Sequence, residues 1–123
     1  MTAPHEAGHM KADGHGPMLR LLQMLPAEPR GRMVAMYREA LATQLAQLGE
    51  LLAGDDGAAA MSLAHKVAGS AAMMQDAGLS EPARAVERAL RQGAPAQALR
   101  LWPLLQAQAA RTLQALELAF PAG

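Results

Sequence analysis

Residues 63–74 read LAHKVAGSAAMM. Leu63, Val67, Ser70 and Met74 recur at spacings of three and four, so on a 100° period they fall within about 60° of one another. That is one face of an α-helix; the strict alternation of a half-buried strand is absent. His65 lies roughly 160–180° from the centre of this face on the same period, which predicts an imidazole pointing away from the core. Its neighbours on the outer face are Met61 and Ser62 one turn back, Ala68 and Gly69 one turn on, and Ala72 beyond.

The rest of the chain supports the same reading. Of 123 residues, 51% are apolar but only 2% are aromatic. Val34, Val67 and Val86 are the only β-branched aliphatic residues, a composition that disfavours a sheet and suits helices. The length fits one domain with a single modest core. Formal net charge is zero, so no strong field draws nucleic acid or an anionic membrane. Absence of cysteine excludes disulfides and thiolate metal sites. No run of about 18 apolar residues could span a bilayer, and the first residues lack the apolar core of a secretory signal. The expectation is a soluble, cytoplasmic protein with neither a membrane nor a nucleic-acid partner.

Residues 1–16 hold three glycines, one proline and three histidines without apolar periodicity, and are expected to form a flexible tail ahead of a helical domain over 17–123. A short helix is predicted over 17–25, with Pro17 at its first position and PAEP ending it. A second helix over 30–53 would bury Met33, Tyr37, Leu41, Leu45, Leu48 and Leu52. GDDG at 54–57 ends it and offers Asp55 or Asp56 as the N-cap of a third helix over 56–77, with Gly78 as its stop. Ser80 would cap a fourth helix that buries Leu79, Ala83, Val86 and Leu90. The last helix carries Leu101, Leu105, Ala109, Thr112, Leu116 and Phe120 on one stripe; Pro103 either kinks it or begins its main segment. Short connections make neighbouring helices antiparallel. The predicted fold is therefore all-α, an antiparallel up-down four-helix bundle with a short extra N-terminal helix. The nine methionines are expected mainly as pliable core filling, with Met61 and Met73 able to border an exposed patch. Arg84, Arg88, Arg91 and Glu87 look like a solvated face.

Two histidine arrangements compete for function. His5, Glu6 and His9 fit H-E-x-x-H, and His15 could add a third zinc ligand. Gly8, Pro4 and Gly14 make a stable helix there unfavourable, and Ala12 stands where the longer zinc-protease pattern has Gly. A solvated tail with incidental metal affinity is the simpler reading. His65 is the other candidate. With no second imidazole nearby and no carboxylate in view, it is poorly set up as a metal ligand or triad base. It suits an accessible nucleophile, and an unpaired imidazole is mostly neutral at pH 7. Gly69 costs the helix about 0.5–1 kcal/mol relative to Ala; space beside the ring would offset that. A plain solvated surface histidine is the competing reading.

The stretch Ala64, His65, Val67, Gly69, Ser70, Ala71 resembles the motif A-H-x-L-K/A-G-S/A-A of histidine phosphotransfer (HPt) domains of bacterial phosphorelays. Leu79 and the pair Val86–Glu87 resemble that family's downstream positions. The helix pattern extends the likeness over about 17–120, although its specific part is a dozen residues. The resemblance implies that His65 accepts a phosphoryl group from a receiver-domain aspartate and passes it to another receiver. Gly69 would leave the phosphoimidazole clear, and Met61, Ser62, Lys66, Ala68 and Ala72 would border the docking area. By the same resemblance the chain is a monomeric phosphocarrier without autokinase activity or a cofactor of its own. Its partners are a response-regulator receiver, which supplies Mg²⁺, and a sensor or hybrid kinase. Two positions depart from the family pattern. Ala68 stands where many members have Lys, and Gln75 where a Gly is frequent, ten residues after the histidine. The rival is a helical adaptor that uses the same face without phosphorylation.

Overall fold

The computed structural model describes residues 15–121. They form five helices: α1 Gly16–Gln23, α2 Ala27–Ala53, α3 Gly57–Met73, α4 Ala77–Arg91 and α5 Pro95–Ala119. No strand occurs among the described residues, so the all-α expectation holds. The main helices are joined by three-residue connections at 54–56, 74–76 and 92–94, too short for anything but antiparallel neighbours. Contacts run α2–α3, α3–α4, α4–α5 and α5–α2, which closes a four-helix bundle, and α1 packs on α2. The shared core is built from Met18, Leu22, Leu41, Leu48, Val67, Leu79, Val86, Leu105 and Leu116. Pro103 lies within a continuous α5. None of the described helices is long and apolar enough to cross a membrane.

Local chemistry explains most helix ends, with some corrections. Asp56 caps α3, its carboxylate accepting the Ala59 N–H at 3.0 Å. The third helix was expected to run to residue 77 with Gly78 as its stop, but it ends at Met73. Gln75 takes a left-handed φ of 62° and stops it. Gly78 and Ser80 therefore lie inside α4, whose N-cap position is Asp76. The second helix starts at Ala27, and its buried stripe uses Val34, with Met33 exposed. Among the seven described methionines only Met18 and Met74 are buried, and Met24, Met36 and Met73 stand out at 69–82% exposure. Their expected role as core filling fails because leucine and alanine already fill the bundle. Gly49 packs closely on α5: a Cβ there would lie 3.0 Å from Cζ2 of Trp102, so the indole would have to give by a few tenths of an ångström.

Two residues assigned to the expected tail, His15 and Gly16, belong to the packed structure. Gly16 opens α1, and His15 is buried, its Nε2 3.2 Å from Thr112 Oγ1. The His5–His9 motif lies outside the described residues. Thr112 in turn donates to Asp76 Oδ2 at 2.8 Å, and Tyr37 donates to the same oxygen at 3.2 Å. Asp76 is fully buried and its Oδ1 has no partner. This cluster joins the segment before α1, α2, α5 and the α3–α4 turn. Burial pushes the Asp76 carboxyl above its ordinary range, against the opposing pull of Thr112, His15 and Tyr37. Tyr37 is raised as well, first by burial and then by Asp76.

Two outcomes follow from these ends and this cluster. The folded chain holds the Asp76 proton to higher pH than the unfolded chain. The associated stability is therefore complete below the ordinary carboxylate range and is lost as pH rises through the raised value. Urea unfolding should show a fall in stability from about pH 4 upward. Asp76→Asn, which keeps an acceptor for Thr112 and Tyr37, should flatten it; an unchanged slope would assign the titration to another group. Replacing Gln75 by Gly relieves a left-handed side chain and should stabilise by about 0.5–1 kcal/mol, seen as a Tm rise of a few degrees.

Candidate functional site

The buried face of α3 consists of Ala60, Ala64, Val67, Ala68 and Ala71, and Met74 just beyond its end is buried as well. Its centre lies about 60° round the helix from the stripe read off Leu63, Val67, Ser70 and Met74; Leu63 and Ser70 are only half-buried. The difference arises because alanine, uninformative in a hydrophobic pattern, lets α4 approach closely, and α3–α4 is the most closely packed pair of helices. Ala68 is consequently 2% exposed, a correction to its expected place on the outer surface. Ala68 itself is therefore not open to a partner.

The same rotation decides the surroundings of His65. Its side chain is 74% exposed, yet it sits at the edge of α3 that borders α4. His65 and Glu87 are each eleven residues from Asp76 in sequence, so an antiparallel pair of helices sets them opposite one another. His65 Nδ1 is 2.9 Å from Glu87 Oε2. The same oxygen accepts Arg91 Nη2–H at 2.5 Å, one turn further along α4. Glu87 is only 9% exposed at its side chain, whereas Arg91 is 59% exposed. The expectation that His65 lacks a carboxylate is thus overturned, and so is the reading of Glu87 as part of a solvated face. A usable signal was present: Glu87 follows Leu79 and Ala83 at spacings of eight and four, which sets an acid on the apolar stripe of its helix. Arg91 carried no comparable signal.

The bonding fixes a tautomer. A carboxylate that accepts an Arg N–H can only accept from the ring as well, so Nδ1 carries the hydrogen. The Nε2 lone pair is then left available on the exposed side of the ring. Around it the surface is shallow. Ser62, Lys66, Gly69, Ala72 and Met73 are exposed and form a continuous strip with His65, while Met61 is half-buried. A Cβ built on Gly69 would meet nothing within 4 Å, so the position is open on its outer side. Among the described residues no group of three or more His, Asp or Glu side chains is arranged to hold a metal ion.

A family model described as Hpt domain matches residues 32–120. No curated protein and no solved structure gives a match.

Because no neighbour opposes a Cβ at position 69, Gly69→Ala should stabilise α3 by about 0.5–1 kcal/mol through helix propensity. Thermal unfolding would measure it, and a loss of stability would mean that the glycine serves the backbone instead of the space above it.

Proposed function

The chain belongs to the Hpt domain family, and from that premise we propose that His65 is its phosphoryl acceptor. Hpt domains serve histidine phosphotransfer in phosphorelays and interact with receiver domains and histidine kinases. They are phosphocarrier modules, not catalytic domains. The observation that carries the assignment to His65 is its exposed Nε2 with Nδ1–H anchored on Glu87.

In the proposed step, Nε2 attacks the phosphorus of a receiver's aspartyl phosphate. The N–P bond forms as the P–O bond to the aspartate breaks, and the carboxylate leaves with the electron pair. The imidazole becomes positively charged, and its Nδ1–H remains bonded to the Glu87 carboxylate, which stabilises that charge as it develops. Transfer to a second receiver reverses each change. Mg²⁺ in this reading belongs to the receiver, and this chain needs no cofactor. The strip formed by Ser62, Lys66, Gly69, Ala72 and Met73 would meet the receiver, with Lys66 the nearest cation on α3. We assign the protein to the cytoplasm as a monomeric relay component.

Ala68, where many family members have Lys, favours one competing reading, an adaptor that binds a receiver without being phosphorylated. Incubation with a receiver carrying labelled aspartyl phosphate separates the two. Label should move to the wild type and not to His65→Gln. A wild type that binds the receiver yet stays unlabelled supports the adaptor, and label retained on His65→Gln moves the acceptor elsewhere.

A further inference from the structure

The four main helices close the bundle unevenly. The seam between α2 and α5 is the loosest of the four and lies diagonally across from the α3–α4 seam that carries His65. Along it runs an apolar groove of about 580 Å³, whose lining includes Leu45, Ala46, Gly49, Trp102, Ala109 and Leu113. Ala46 is exposed on its wall, and Trp102, the only tryptophan of the chain, is half-buried. An ion pair of 2.8 Å between Arg38 and Glu117 crosses from α2 to α5 at one end. From Arg38 to Ala53 α2 runs roughly 22 Å, the length of a helix of about four turns.

We propose that this groove docks an amphipathic helix of a partner protein, its apolar stripe in the groove and basic side chains on its flank. Charge selects this occupant. Glu39 and Glu50 stand exposed along the groove. They are eleven residues apart, hence on one side of α2 and roughly 16 Å from one another. Among the described residues neither has an ion-pair or hydrogen-bond partner. Arg38 is the one cation beside this stretch of the groove, and Glu117 holds it. A second copy of this chain would bring the same two acids and no free cation to meet them, so self-association through this face leaves both unanswered. A helix carrying Lys or Arg about three turns apart answers both, while its large apolar side chains cover the indole and the alanines. The site is independent of His65. A partner held at α2–α5 leaves the α3–α4 face open, so one molecule can be tethered and exchange a phosphoryl group at the same time.

Trp102 reports occupancy. The probe is a tryptophan-free synthetic helix of about four turns, with leucines on one stripe and lysines on its flanks. Titrated into the full chain, it should shift Trp102 emission to the blue and saturate. The same peptide with glutamates in place of the lysines should give no shift. Glu39→Lys combined with Glu50→Lys should weaken binding about tenfold and remove its salt dependence. Ala46→Arg, which fills the groove from an exposed position, should abolish binding without lowering Tm. His65→Gln should bind the peptide as the wild type does, so the phosphotransfer reading stands or falls separately. Emission unmoved by the lysine peptide, or affinity indifferent to the reversal on α2, overturns the proposal. So does a chain that dimerises in sedimentation and becomes monomeric with Ala46→Arg, a result that gives the groove to a second copy.

Discussion

The close approach of α3 to α4 is the constraint from which the site follows. Ala60, Ala64, Ala68 and Ala71 on α3 present no long side chains to the interior, and Ala83 and Ala89 are buried on α4. Backbones that can approach gain dispersion contacts along their whole length. The gain for the site is positional. A Glu on the buried stripe of α4 reaches past the edge of α3 and bonds an imidazole that is otherwise in solvent.

Polar groups are handled oppositely at two places in this bundle. The cluster of Asp76, Thr112, Tyr37 and His15 is closed: its hydrogen bonds join four separate segments, and its carboxyl is buried. Burial raises that carboxyl above its ordinary range. The Glu87 site is open on one side, and the Arg91 cation balances its carboxylate. Roughly 12 Å of α3 lies between His65 and the turn that carries Asp76, so the closed cluster can fix the hairpin while the open site faces solvent. This division fits a small relay module, in which the bundle must stay rigid and only one ring must change chemistry.

Much of this was legible beforehand. The helical period, the lack of β-branched residues and the breaks at GDDG and Gln92–Pro95 led to the bundle, and the motif around His65 led to the family. The errors were local. The third helix ended early because a glutamine adopted the left-handed conformation that glycine was expected to supply three residues after it. Ala68 was set on the wrong face because a run of alanines has no visible hydrophobic contrast. His15 was assigned to a solvated tail because its partners, Thr112 and Asp76, are 97 and 61 residues away in sequence.

The sequence by itself determined which segments are helical, how they connect and that one histidine sits mid-helix with small neighbours, because periodicity, caps and turn lengths are local properties. Only the tertiary structure decided how far α3 is rotated about its own axis. That angle depends on how two particular surfaces interlock, and no short window of residues contains both. It is this rotation that gives His65 a carboxylate on one nitrogen and solvent on the other.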